Sequence, residues 1–165
     1  MIYNEVQKDL FTLDNSYILA HCISADYALG AGIAKVFADK YNVKSLLLKG
    51  FGSKWFVNKW DGNGRCDLTP SYGTEDGTGY WLVANLVTKE KCYHKPTYDT
   101  LRQALEDMKI ELLNLRVPKK ITRKITKIGM PLIGCGIDGL KWDKVSAIIK
   151  EVFADTDFEI LVCRI

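Results

Sequence analysis

Between Tyr98 and Leu115 the apolar residues advance by three, four, three, four and three, through Leu101, Leu105, Met108 and Leu112. That interval traces one face of a helix over about five turns, and such a face has to be buried against something. Pro96 stands just ahead of it, Thr97 is a natural N-cap, and Asp99 falls in the first turn, beside the positive end of the helix dipole. Continuous apolar runs lie on either side, Tyr80–Thr88 before and Ile128–Ile133 after, in the manner of strands covered on both faces. A long one-faced helix between two-faced strands constrains the chain to an α/β design with a largely parallel, buried sheet.

The remaining segments fit that design. Ile2–Val6, Tyr17–Ala20 and Phe158–Val162 read as strands, with HCIS following the second. Ile33, Val36, Phe37 and Tyr41 mark a helix opened by Gly30-Ala31-Gly32, and Val145, Ile148, Ile149, Val152 and Phe153 mark another. Trp55–Trp60 reads as a strand and Asp61–Gly79, rich in Gly, Asp, Ser and Thr, as an extended hairpin loop. Pro131 inside an apolar run signals a bend or a bulge. Neither a repeat nor a linker divides the chain, so one domain over residues 1–165 is expected, with an insertion around Gly50–Gly79.

Composition excludes several classes. With 47% hydrophobic and 26% charged residues over 165 positions, the chain is neither a disordered tail nor a collagen-like repeat, and it is long enough for a full core without a staple. No apolar run approaches the ~20 residues of a bilayer span, and the opening MIYNEVQKDLF is charged too early for a signal peptide. The five cysteines are odd in number and form no CxxC pair, which points to a reducing, intracellular compartment. His21 and His94, the two histidines, stand at no metal-ligand spacing, so neither metal nor cofactor is expected. A net charge of +3 does not by itself mark a nucleic-acid binder. The basic cluster Lys119, Lys120, Arg123, Lys124 and Lys127 is either a solvated connection or a contact for nucleic-acid phosphate.

Ligands of open α/β sheets bind beyond the carboxyl ends of the strands. That rule selects HCIS with the GAGIA helix opening, Thr88-Lys89, and Gly134–Gly139 (GCGIDG). Two of the three are glycine-rich, and glycine lets backbone amides approach an anion. GAGIAK is neither a Walker A motif nor a full GxGxxG, so tight packing and ligand contact both remain readings of it. Lys89 is equally a solvated strand end, Asp138 a turn residue and His21 a core residue on these grounds alone. His21 with Ser24 lacks the third member of a hydrolase triad.

Taken together and in order, three segments resemble a macrodomain: AHCISADYALGAGIAKVFADKY (Ala20–Tyr41), VTKEKCYHKPTYDTL (Val87–Leu101) and MPLIGCGIDGLKWDKVSAIIKEVF (Met130–Phe153). The likeness is to the terminal ADP-ribose protein glycohydrolase type, which also removes acetyl from O-acetyl-ADP-ribose. KDLF (Lys8–Phe11) is a fourth match, with Lys8 standing where the family has glycine. The resemblance implies a three-layer α/β/α sandwich around a mixed, largely parallel six-stranded sheet, with ADP-ribose in a cleft at the strand ends. It assigns Asp9 to the adenine amine, Gly30, Ala31, Gly32 and Ile33 to the loop around the distal ribose, and Ser24 to the pocket beside it. Gly134, Cys135, Gly136 and Ile137 match the loop whose amides hold the diphosphate, and Lys89 and Asp138 match the catalytic pair. Leu10, His21 and Thr88 complete the expected ligand-binding set.

The expected activity is removal of terminal ADP-ribose from acidic protein side chains, with deacetylation of O-acetyl-ADP-ribose. A lysine attacks a sugar carbon only when neutral, and at a reference pKa of ~10.4 roughly one in a thousand or fewer is neutral at pH 7. Asp138 is expected to take and return that proton. The partners implied are ADP-ribose and ADP-ribosylated protein, or else ADP-ribosylated DNA, with no membrane, and the protein is expected to be a monomer. The alternatives are hydrolysis of ADP-ribosylated DNA bases, supported by the basic cluster, phosphate removal from ADP-ribose 1″-phosphate, and a non-catalytic reader of ADP-ribose.

Overall fold

The computed structural model describes residues 1–50, 58–72, 80–115 and 127–165. Six strands, β1 (Ile2–Gln7), β2 (Tyr17–Ser24), β3 (Arg65–Tyr72), β4 (Tyr80–Lys89), β5 (Lys127–Met130) and β6 (Glu159–Arg164), form one sheet in the order β1-β6-β5-β2-β4-β3. Neighbours are parallel except β3 and β4, which run antiparallel. Four helices, α1 (Gly32–Tyr41), α2 (Val43–Leu48), α3 (Tyr98–Leu113) and α4 (Trp142–Phe153), cover it.

Alternation along the strands makes two cores. Ile18 and Ala20 of β2 and Ala84 and Leu86 of β4 pack with Leu101, Leu105 and Met108 of α3 and with Val145, Ile149 and Phe153 of α4. Leu19, Ile23, Val83 and Val87 face the other way, onto Phe37 and Tyr41 of α1, Leu47 of α2 and a single 3-10 turn at Leu10–Thr12. The expected mixed, largely parallel sheet between two helical layers is what the residues form.

The helix read from Tyr98 is capped as its sequence implies: the Thr97 side chain accepts the Thr100 amide and the Thr100 side chain accepts the Thr97 amide. Leu115 lies beyond its end but still packs on the core. Other expectations need correction. β2 runs to Ser24 rather than ending at Ala20, so HCIS is strand. β5 stops at Met130, one residue before Pro131, which has no amide to give a ladder. α2 was not foreseen, and it is set off from α1 by Asn42 in the left-handed region at φ 55°. Of Trp55–Trp60, residues 58–60 are not strand and the rest lie outside the described residues, as does part of the Gly50–Gly79 insertion.

The largest correction is that Arg65–Tyr72, expected to be loop, is β3. Its composition misleads because its inward positions are polar on one side. Cys66 and Leu68 join the α3 core, while Asp67, Thr69 and Ser71 are buried with partners far off in sequence. Tyr27 Oη donates to Asp67 Oδ2 at 2.7 Å, and Arg65 Nε lies 3.2 Å from the same oxygen. Asn85 Nδ2 donates to Asp67 O and Thr69 Oγ1 at 2.9 and 3.0 Å, and Ser71 Oγ donates to Tyr41 O. Burial pushes the Asp67 carboxyl upward, and Arg65 and Tyr27 pull it back. Pro70 is tolerated because β3 is an edge strand.

His21 closes this network. Its ring stacks on Phe37 with centroids 3.9 Å apart, and Nε2 lies 2.6 Å from Asn85 Oδ1. The Asn85 amide is spent on donation, so Nε2–H of His21 is the donor in that contact. Burial pushes the imidazole down to about 4, which the bond to Asn85 counters only in part. The folded value lies below the unfolded ~6.5, so the unfolded chain binds the extra proton first. Stability from this group is complete above pH 6.5 and lost as pH falls toward 4, by about 3 kcal/mol at ~1.36 kcal/mol per unit. Urea unfolding of wild type and of His21→Gln, which keeps a donor for Asn85, should show the acid loss between pH 6.5 and 4.5 shrinking by that order in the variant.

Candidate active site

The strands that diverge in the sheet order, β5 and β4 on either side of β2, leave their carboxyl ends at one edge, and a cavity of about 520 Å3 opens there. Its volume is in the ~300–1,000 Å3 range of small-ligand sites. Three backbone segments, the start of the 3-10 turn and the end of β6 build its walls.

The first wall is the turn from β2 into α1. Gly30, Ala31, Gly32 and Ile33 line it. α1 has Ala31 as N-cap with no side-chain bond, so its first-turn amides are left without a side-chain acceptor at the cavity edge. Gly32 has φ +59°, and a Cβ there would meet nothing within 4 Å. Amides at such an end favour an anion or a hydroxyl oxygen.

The second wall is the loop from β5 to α4. Its internal bonds use the amides of Ile133, Cys135, Gly139 and Leu140; those of Gly136, Ile137 and Asp138 take no part in them. Gly134 has φ +72°, with Leu140 Cδ1 3.0 Å from where a Cβ would stand, whereas Gly136 faces open space. Lys95 Nζ donates to Ile137 O from outside the cavity.

The third wall is the end of β4. Ile23 pairs with Val87 but Ser24 pairs with Lys89, so Thr88 is an extra residue in β4. A bulge re-aims the side chains around it. Lys89 thereby shares a register position with Ser24, and its Nζ reaches Asp138 Oδ1 at 2.7 Å. The pair is 11% and 15% exposed and lines the cavity. Burial pushes the neighbouring Cys22 thiol up, the Asp138 charge adding to the effect, and burial likewise raises that of Cys135. Of the groups packed together here, these two thiols are held as poor nucleophiles, in contrast to the lysine amine and the carboxylate beside them.

Asp9 and Leu10 also line the cavity. The Asp9 side chain accepts the Phe11 amide at 3.0 Å as the cap of the 3-10 turn. Lys8 needs no glycine geometry: its φ is not positive, and its amide donates to Arg164 O at 2.8 Å. Ser24, Cys135, Gly136 and Ile137 also line the cavity, with Gly134.

Two expected ligand residues are not brought to it. His21 is buried three positions inside the end of β2 under Phe37, and Thr88 is turned into the interior by the bulge, its Oγ1 without a protein partner. Phe11, Cys92 and Arg164 line the cavity and were not foreseen. Asp26 was also missed, although an aspartate that accepts the amide two residues on is the pattern of an Asx turn. The basic residues Lys119, Lys120, Arg123 and Lys124 lie outside the described residues. Among the described residues no group of three His, Cys, Asp or Glu side chains is arranged to hold a metal, and no helix is long and apolar enough to cross a membrane.

A mixed six-stranded sheet between helical layers, with this cleft at its strand ends, is a macrodomain. The macrodomain of Mycobacterium tuberculosis DarG superposes with a TM-score of 0.70 at 18% identity, covering 98% of this chain and 97% of that one. Thermosipho africanus DarTG in complex with ADP-ribose gives 0.69 at 14%, covering 99% of this chain and 42% of the other. No family model matches the sequence. The ADP-ribose glycohydrolase OARD1 of Bos taurus is 37% identical over 157 residues, which is 95% of this chain and 88% of the bovine one. The chain therefore belongs to the OARD1 family of macrodomain glycohydrolases.

The two loop glycines separate backbone need from cavity space. Gly134→Ala is expected to cost about 1–2 kcal/mol in urea unfolding, since it forces a side chain into the left-handed region. Gly136→Ala, with nothing for its methyl to meet, should stay within about 0.5 kcal/mol of wild type.

Proposed function

We propose that the protein hydrolyses the bond between a terminal ADP-ribose and an acidic protein side chain, and deacetylates O-acetyl-ADP-ribose, as a single macrodomain. The observation that carries this reading is the 2.7 Å contact of Lys89 Nζ with Asp138 Oδ1 in a wall of the cavity. The name of the OARD1 relatives and the ADP-ribose complex of a structural neighbour support ADP-ribose as the ligand.

In this reading the diphosphate lies along the 134–137 loop and the α1 amides, the adenine against Asp9, and the distal ribose beside Ser24 and Lys89. Asp138 accepts a proton from Nζ. The neutral amine attacks C1″, the C1″–O bond to the acceptor breaks, and the carboxylate leaves as an anion. Water then attacks C1″ and the C1″–N bond breaks; the proton on Asp138 returns to the departing amine and one proton of the water passes to solvent, so both groups end as they began. For O-acetyl-ADP-ribose the same pair supplies a base for water attack on the acetyl carbonyl. A reader that only binds has no use for a largely buried amine and carboxylate facing the ligand.

A panel of glutamate-linked, serine-linked, DNA-linked and O-acetyl ADP-ribose, run with wild type, Lys89→Ala and Asp138→Ala, tests the proposal. Release from the glutamate-linked and O-acetyl substrates should fall by about 100-fold or more in each variant, while calorimetric ADP-ribose affinity stays within about tenfold. Undiminished release by variants that still bind ADP-ribose sinks the mechanism. Binding by wild type without any product establishes a reader instead.

A further inference from the structure

Past the last ladder pair of β2 and β4, the two segments stay joined. The Ala25 amide donates to Lys89 O at 2.8 Å and the Asp26 amide to Glu90 O at 3.1 Å. The Asp26 side chain then takes over: Oδ2 accepts the Cys92 amide at 3.0 Å, and Oδ1 accepts Ser24 Oγ–H at 2.5 Å and the Ala28 amide at 3.1 Å. One half-buried carboxylate thus gathers three donors from both sides of the cavity mouth. Burial pushes this carboxyl up, but the Ser24 hydroxyl and the Cys92 and Ala28 amides outweigh it and leave the carboxyl below its ordinary range. Asp26 itself does not line the cavity, whereas Ser24, Lys89 and Cys92 all do.

We infer that Asp26 is a positioning residue for Lys89: by clamping the backbone that follows the bulge to the Ser24 side of the mouth, it holds the amine at the distal-ribose carbon. The inference rests on the function proposed above for that site. Strand pairing fixes Lys89 on its amino-terminal side only through the bulge, the least regular part of the ladder. On its carboxyl-terminal side the chain has left the sheet, and the bonds to Ala25 and Asp26 are what fix residues 89–92 there. A shift of about 1 Å in such a group is enough to lower a rate about 100-fold without changing what binds.

Asp26→Asn isolates one arm, because its remaining oxygen still serves Ser24 and Ala28 while the new NH2 cannot accept the Cys92 amide. The probe is ADP-ribose with cyanoborohydride. The open-chain C1″ aldehyde condenses with the Lys89 amine, water leaves, and hydride reduces the imine to a stable adduct read by peptide mass spectrometry. At saturating ADP-ribose the variant is expected to form this adduct about tenfold more slowly, with kcat on ADP-ribosyl-glutamate reduced by a similar factor and ADP-ribose Kd within about threefold. A residue that served only the fold would lower the unfolding midpoint and leave trapping per bound complex unchanged, and that result overturns the inference. So does a wild-type protein that gives no adduct at Lys89. Wild type that traps at Lys89 yet releases nothing from the ester refutes the proposed hydrolysis while trapping still tests Asp26. Wild type that hydrolyses the ester, with Asp26→Asn equally fast in both assays, refutes the role of Asp26 alone. If Asp26→Asn does not bind ADP-ribose, Asp26→Glu, whose carboxylate is displaced by one methylene, is judged by the same slowing.

Discussion

Thr88 has no partner residue on β2, because Ile23 pairs with Val87 and Ser24 with Lys89, and that skipped position decides what stands at the mouth of the cavity. In a regular ladder successive side chains alternate faces, and the residue opposite Ser24 would be Thr88. A lysine brought into that register instead lies on the side from which the β5–α4 loop descends, where Asp138 meets it. The cost is visible in the unpartnered, buried Thr88 hydroxyl. An irregularity that costs a hydrogen bond and sits beside the one largely buried Lys–carboxylate pair among the described residues supports the catalytic reading proposed for this wall.

The walls facing the bulge are backbone, and backbone walls need to be held from behind. On the β2–α1 side Tyr27 and Leu29 both adopt left-handed conformations, at φ 53° and 42°, each costing about 1–2 kcal/mol for a residue with a Cβ. Both side chains are buried, and Tyr27 Oη is bonded to Asp67, which Arg65 also contacts. The polar interior of β3 is therefore the anchor of the turn that presents residues 30–33 to the cavity. Fold and site share this network: the positions that make β3 unusual as a strand are those that pin the loop above it.

The legible parts of the sequence were those whose partners are the surface of the same core. The faces of α3 and α4 declare themselves because Leu101, Leu105, Val145 and Ile149 need only a generic apolar sheet. β3 does not, since Asp67, Thr69 and Ser71 are compatible with a strand only once Tyr27, Asn85 and Tyr41 have been brought beside them from other elements. The strand-end rule found the glycine loops without knowledge of any family, but the roles of Lys89 and Asp138 came from resemblance, because residues forty-nine apart do not announce a 2.7 Å contact. His21 and Thr88 show the converse fault. They lie inside the right motifs, yet strand alternation and the bulge point them away from the cavity.

A largely buried ion pair is weak evidence of stability, since removing two charges from water offsets most of their attraction. Its chemical consequence at this site is more definite. Transfer of one proton from Lys89 to Asp138 turns two charged groups into two neutral ones and leaves the net charge of the wall unchanged. On the proposed reading the diphosphate is held by the amides of residues 136–138 and of the α1 terminus, with dipoles rather than a counter-ion. The lysine is then not needed to neutralise it. An anion site built from backbone leaves the Lys89–Asp138 pair to serve the bond being broken, and on that reading the glycine loops and the pair belong to a single device.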